Sequence, residues 1–322
     1  MLRVGELFLV GLSGPELTLY EQEAIKEFTL RHFIFFKRNL LEKEQIKSLL
    51  IKINEISGPG LRALDQEGGP VARLKPPLFP AIKAPFDLAN DKDPEAAVAK
   101  EAALCARELK AYGFNFNLAP VLDLGGENAP SFLRGRTFGE DASLVAQLGE
   151  TYIKTFHSYG VYTCAKHFPG LGGVAIDPHQ NLPVKNSFSE DDLRPFYQAI
   201  AAKVPAIMTT HLIISTFDGV PATFSKQIVR FLREKMGFTG LLLTDDLYMG
   251  GVSLPLEEAV LKAVLSGHDL ILLCQNFSQT IKIIENFAKE VRNSPSLQNR
   301  VKKALVRQES LLNFFASCLG KS

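Results

Sequence analysis

Apolar residues along this chain fall into two alternating patterns. Short, nearly continuous apolar runs occur eight times, at residues 7–12 (LFLVGL), 32–36 (HFIFF), 61–65 (LRALD), 114–123 (FNFNLAPVLD), 161–166 (VYTCAK), 206–211 (AIMTTH), 241–245 (LLLTD) and 270–274 (LILLC). Between them, at 16–28, 42–56, 94–112, 142–158, 190–202, 225–236, 256–266 and 278–292, apolar residues recur every three or four positions with charged residues opposite, as in helices with one buried face. Asp93-Pro94-Glu95 opens one such segment, and Gly113, Gly160, Gly237 and Gly267 follow others, consistent with helix start and stop signals. Strands that lack polar alternation are buried on both faces, which is the situation of a parallel sheet covered by helices. Eight repeats predict a (β/α)₈ barrel rather than an open doubly wound sheet. A ninth helix over 296–315, with Leu297, Val301, Ala304, Leu305, Leu312 and Phe315 on its apolar face, is expected to pack on the outside of the barrel. The Pro-rich stretch 76–85 reads as a long strand-to-helix connection. With no linker of Gly/Ser/Pro composition, residues 1–322 are expected to form a single catalytic barrel domain.

Charge and composition narrow the partners. With 36 basic against 35 acidic side chains and a net charge of +1, the chain has no electrostatic footprint for nucleic acid or an anionic membrane. Cys105, Cys164, Cys274 and Cys318 show no C-x-x-C or metal-finger spacing, so all four are expected to be reduced and buried. The N-terminal apolar run is short, carries Glu6, and has neither a basic leader nor a small-residue cleavage site. It reads as a first strand, and no run is long enough to span a bilayer. A cytoplasmic monomer acting on a small substrate is the expectation.

In barrels of this kind the active site lies at the C-terminal ends of the strands. Here those ends read Asp65-Gln66-Glu67-Gly68-Gly69, Asp123, Lys166-His167, Thr210-His211 and Asp245-Asp246 for strands three to seven. Directly after Lys166-His167 comes a loop, Phe168-Pro169-Gly170-Leu171-Gly172-Gly173, followed by Asp177-Pro178-His179. Asp177 and His179, two residues apart, form a carboxylate–imidazole pair in which one can orient the other. No His-x-His or His-Glu-x-x-His spacing supports a catalytic metal, so neither a metal nor a cofactor is expected. The order of Lys and glycines does not suit a phosphate loop, and no G-x-S-x-G elbow is present. What remains is an acid–base pair and a strand-end carboxylate able to stabilise or trap a cationic centre, which is equipment for glycoside hydrolysis.

The motifs K-H-F-P-G-L-G-G-V-A-I-D-P-H at 166–179, D-Q-E-G-G-P-V-A-R at 65–73, N-L-A-P-V-L-D at 117–123, R-G-R-T-F-G-E-D at 134–141 and T-D-D-L-Y-M at 244–249 resemble glycoside hydrolase family 3. Within it they are most similar to the single-domain bacterial β-N-acetylhexosaminidases of peptidoglycan recycling. The resemblance covers about residues 5 to 290. It implies a retaining exo-β-N-acetylglucosaminidase in which Asp245 is the nucleophile, Asp246 is structural, His179 is the general acid/base and Asp177 is its dyad partner. It further implies that Asp65, Arg73, Arg136, Lys166 and His167 bind the terminal sugar, released from peptidoglycan fragments or chitooligosaccharides.

Three positions depart from the family's usual pattern. Leu171 stands where a second histidine is usual, Pro70 where an arginine follows D-Q-E-G-G, and Pro178 where D-S-H has serine. His211 and Glu67 are each read as either lining the pocket or buried and satisfied. Asp123 is read as a residue that organises the Arg136 region or touches sugar, and Asp141 as a helix cap. His32, His157 and His268 have no catalytic companions in sequence. Four other readings stay open: substrate-assisted catalysis at Asp245-Asp246, a family 3 sugar phosphorylase, a non-catalytic sugar-binding barrel, and Schiff-base chemistry at Lys166.

Overall fold

The computed structural model describes residues 2–319, with side chains described through residue 313. Eight parallel strands form the ring: β1 (Phe8–Gly11), β2 (His32–Phe35), β3 (Arg62–Leu64), β4 (Phe116–Asn117), β5 (Tyr162–Phe168), β6 (Ala206–Thr209), β7 (Leu241–Leu243) and β8 (Ile271–Leu273). Each strand pairs with its sequence neighbour, and β1 also pairs with β8. A parallel bridge between Leu243 and Leu270 joins β7 to β8 and closes the (β/α)₈ barrel. The helices are α1 (Leu19–Glu27), α2 (Lys43–Ser57), α3 (Pro85–Ala89), α4 (Pro94–Tyr112), α5 (Ala142–Ser158), α6 (Glu190–Ala201), α7 (Lys226–Arg230), α8 (Leu256–Ser266), α9 (Phe277–Asn293) and α10 (Pro295–Leu319). The short α3 falls at the end of the Pro-rich connection, and a π-helical turn, Phe231–Lys235, extends α7.

The apolar runs divide by alternation into two cores. Leu9, Ile34, Ala63, Cys164, Met208, Leu243 and Leu272 fill the barrel, while Phe8, Val10, Phe33, Phe35, Leu64, Ala165, Ile207, Leu242 and Ile271 face the helices. Successive strand residues point to opposite faces, so a strand apolar on both is held from both sides. Several helix ends are set by local chemistry. Thr18 and Glu21 form a reciprocal capping box at α1, the Asp141 carboxylate accepts from the Ser143 and Leu144 amides at α5, and Gly113 ends α4 in the left-handed conformation, at φ 103°, that glycine adopts without a Cβ clash.

Two expectations need correction. The ninth helix, α10, does not simply lie on the outside. Val301, Ala304 and Leu305 join the outer core, but Leu311 and Leu312 pack against the barrel interior, where the Leu311 carbonyl accepts from the Tyr162 hydroxyl at 3.3 Å. The helix thus crosses the N-terminal mouth of the barrel, covering apolar side chains that would otherwise meet water. The second correction concerns strand five, which runs on through Lys166, His167 and Phe168. Cys105, Cys164 and Cys274 are free and buried; the side chains of Cys318 and Phe315 lie outside the described residues. Among the described residues no helix is long and apolar enough to cross a membrane.

Candidate active site

A cavity of about 470 Å³ opens at the C-terminal mouth of the barrel. Asp65, Arg73, Arg136, Lys166, His167, Asp177, His179 and Asp245 all line it, together with Glu67, Phe36, Pro70, Phe132 and Met249. Larger surface grooves run between α1 and α9, about 950 Å³, and between α1 and α2, about 730 Å³. Neither contains any of these strand-end groups.

One wall is a chain of buried ion pairs. The Asp65 carboxylate accepts from Arg73 Nη2 at 2.7 Å and from Lys166 Nζ at 2.9 Å. Lys166 also reaches Glu67 Oε1 at 2.7 Å, and Glu67 receives Arg136 through Nε and Nη2 at 2.8 and 2.9 Å. Burial alone would raise both carboxyl pKa values. The cations outweigh it: Lys166 and Arg73 hold Asp65 well below the usual carboxylate range, and Arg136 and Lys166 hold Glu67 at about 2. Burial pushes Lys166 down, but Asp65 and Glu67 more than offset this and raise it. Fixed in this way, the cavity presents permanently charged donors and acceptors to a polyhydroxylated ligand.

Two consecutive residues of β5, Lys166 and His167, both face the cavity. In a regular strand their side chains would point to opposite faces, but the register against β6 shifts between Ala165 and Phe168, and such bulges re-aim side chains. His167 Nδ1 lies 2.6 Å from Asp123 Oδ2. The other oxygen, Asp123 Oδ1, accepts from the Leu171 amide at 2.7 Å. Asp123 is therefore a buried support for His167 and the start of the following loop. Arg136 donates its hydrogen bonds to Glu67 and the Phe132 carbonyl, while the Asp123 charge acts on it through space.

After β7, Asp245 and Asp246 both line the cavity, and the Asp246 carboxylate accepts from the Tyr248 and Cys274 amides at 3.2 and 3.1 Å. Burial raises the Asp246 carboxyl to about 6. His211 is fully buried; its Nε2 donates to the Asp246 carbonyl at 3.0 Å, and Nδ1 pairs with the Thr223 hydroxyl at 2.9 Å. It buttresses the turn that follows Asp245 and does not line the cavity. Burial lowers its pKa. His32 and His268 are also buried, and desolvation lowers each to about 3. Glu67, which the sequence left ambiguous, is the hub of the charged wall; its place within D-Q-E-G-G at a strand end was the available signal.

Beyond β5, Leu171 is buried and Gly172 offers its carbonyl to Lys185 Nζ at 2.8 Å. Lys185 is in turn paired with Asp192 at 2.8 Å. The tip of the loop carries the dyad: His179 Nδ1 lies 2.7 Å from Asp177 Oδ1, which also accepts the His179 amide at 2.9 Å. The dyad is more open to solvent than the wall below it, with the His179 side chain 58% exposed. Among the described residues no group of three or more His, Cys, Asp or Glu is placed to hold a metal ion.

Fold and site together define a (β/α)₈ barrel with a carboxylate- and cation-lined pocket at its strand ends. Residues 2–310 match the glycosyl hydrolase family 3 N terminal domain, and the chain belongs to that family. It is 35% identical over 290 residues to a beta-hexosaminidase of Actinobacillus succinogenes, covering 86% of this chain and 83% of that one. Among solved structures, a family 3 beta-N-acetylglucosaminidase from Paenibacillus sp. superimposes with a TM-score of 0.88 at 30% identity over 98% of this chain. That protein is longer, and this chain spans 62% of it. The beta-N-acetylhexosaminidase of Beutenbergia cavernae gives 0.89 at 28% identity, covering 97% of both chains. NagZ from Neisseria gonorrhoeae, solved with N-trifluoroacetyl-D-glucosamine, gives 0.78 at 26% identity over 97% of both.

Proposed function

We propose that this protein is a retaining exo-β-N-acetylglucosaminidase that removes terminal N-acetylglucosamine from peptidoglycan fragments or chitooligosaccharides. The observation that carries this reading is that Asp245, just after β7, and the Asp177–His179 dyad, from the loop after β5, line one cavity with the hydrogen-bonded charges of Asp65, Glu67, Arg73, Arg136 and Lys166. In the first step an Asp245 oxygen attacks the anomeric carbon as the bond to the leaving oxygen breaks, and His179 gives that oxygen its proton. In the second, His179 takes a proton from water, whose oxygen displaces Asp245 and restores the original anomeric configuration. Asp177 holds the imidazole and supports its charged form. Asp65, Arg73, Arg136, Lys166 and His167 bind the hydroxyls of the terminal sugar.

The names and the bound analogue of the related structures support an N-acetylglucosaminide as substrate. Three buried free thiols suit a reducing compartment, and we assign the protein to the cytoplasm as a monomer, with residues 1–322 as one catalytic barrel.

Mass spectrometry after treatment with a 2-fluoro-sugar tests the mechanism: a covalent adduct on Asp245 is expected, and an intact, unlabelled but inhibited enzyme would exclude it. Aryl N-acetyl-β-glucosaminide must be cleaved in preference to aryl β-glucoside. The reaction must also proceed without phosphate; a phosphate-dependent rate yielding a sugar phosphate would make it a phosphorylase.

A further inference from the structure

The loop that carries the dyad is tied to the strand end that carries Asp245. The His179 carbonyl accepts a hydrogen bond from the Gly250 amide at 3.0 Å, and the Pro178 carbonyl accepts one from the Gly251 amide at 3.0 Å. Both donors lie in the turn just after β7. That turn is itself closed, since the Met249 amide donates to the Asp246 carbonyl at 3.1 Å and the Val252 amide to the Met249 carbonyl at 3.0 Å.

The contact is close enough to exclude any side chain. A Cβ on Gly250 would lie 2.6 Å from the Gln180 carbonyl oxygen and 2.8 Å from that of His179. A Cβ on Gly251 would lie 2.7 Å from the Pro178 carbonyl oxygen. Neither glycine is among those with positive φ, so space, not backbone torsion, requires glycine here.

We infer that Gly250 and Gly251 form a dock that seats the Asp177–His179 loop tip against the turn bearing the nucleophile, fixing where the acid/base stands relative to Asp245. The inference rests on His179 being the acid/base. Two neutral backbone hydrogen bonds are each modest in net strength, so the dock is strong enough to set a position and weak enough to release. Its effect on rate exceeds its effect on stability, because a misplacement of about 1 Å in a reacting group can cost on the order of 10² in rate. Gly250 and Gly251 are positioning residues: they act on the leaving group only through His179. The Asp246 carbonyl, held by His211, anchors the far side of the same turn.

Gly250→Ala and Gly251→Ala test this with two substrates. An alkyl N-acetyl-β-glucosaminide needs protonation of its leaving oxygen, whereas a dinitrophenyl N-acetyl-β-glucosaminide does not. Expected is a loss on the order of 10–10² in kcat/KM for the alkyl substrate, with kcat/KM for the dinitrophenyl substrate, which reports the first step alone, kept within about threefold. Equal losses in kcat/KM on both substrates, or none on either, would overturn the dock. His179→Ala measured alongside separates the two ideas: if it leaves alkyl hydrolysis intact, the acid/base assignment has failed, whereas if it abolishes alkyl hydrolysis and the glycine variants do not, only the dock has failed. Should the variants not fold, residue-resolved hydrogen exchange on the wild-type protein decides. The Gly250 and Gly251 amides are expected to exchange at least about tenfold slower than open chain, and exchange at the open-chain rate overturns the proposal.

Discussion

Lys166 Nζ stands 2.7 Å from Glu67 Oε1, with both side chains almost wholly buried. The pair joins two halves of the charged wall: Lys166 extends to Asp65, and Glu67 to Arg136. Removing one charge of a buried pair leaves the other uncompensated, at a cost of about 3–5 kcal/mol. Glu67→Gln is therefore expected to lower unfolding free energy by an amount of that order, read from urea denaturation. Its KM for an aryl N-acetylglucosaminide should rise, since Lys166 and Arg136 lose their common anchor. A variant with unchanged KM would show that Glu67 has no part in positioning Lys166 and Arg136 for substrate.

The dyad yields a second prediction. His179→Ala should lower kcat/KM on the order of 10²–10⁴ for a poor leaving group, the usual worth of a general acid/base. Asp177→Asn should act in the same direction, because the imidazole loses the carboxylate that holds its ring. Wild-type kcat/KM in Asp177→Asn would exclude the dyad.

Asp246 and Glu67 titrate in opposite directions and should leave opposite marks on stability. The Asp246 pKa is raised from 3.8 to about 6, so its neutral form is favoured by folding. That contribution is full below 3.8, and declines as pH rises through about 6. Glu67 is lowered from 4.5 to about 2, so its contribution is full above 4.5 and is lost as pH falls toward 2. Thermal unfolding of Asp246→Asn should show a flatter profile between pH 4 and 6 than wild type. A variant with the same slope as wild type would remove Asp246 as its source.

Leu171 offers a direct comparison with the histidine usual at its position. It is buried within the outer apolar core, while its amide is held by Asp123. Leu171→His should destabilise by about 1–3 kcal/mol, the cost of burying an imidazole without a partner. A neutral or stabilising effect in urea denaturation would show that a hydrogen-bond partner is within reach.

The strand ends were legible because two simple rules coincide. Apolar runs locate strands, and the first polar residue after each run falls at the mouth of the barrel. Asp65, Lys166, His167 and Asp245 reach the cavity on that logic, and the Asp-x-His spacing brought out the dyad. Where a side chain points within the rim was not legible. His211 and Asp123 sit at strand ends just as Asp245 does, yet both are buried behind the cavity, paired with Thr223 and the Asp246 carbonyl in one case and with His167 and Leu171 in the other. Residues facing the pocket and residues supporting it have the same composition, because a buried polar group needs a partner in either role.

The sequence by itself determined the eightfold alternation of strand and helix, the polar strand ends and the residue types of the dyad, since periodicity and local composition are properties of short stretches. Only the tertiary structure decided that Glu67 joins Lys166 to Arg136, that α10 crosses the mouth of the barrel, that a shifted register turns both Lys166 and His167 inward, and that Gly250 and Gly251 receive the loop of His179. Each of these joins residues distant in sequence or depends on the register between strands. Such contacts are fixed by packing and hydrogen-bond closure across the barrel, which no local pattern encodes.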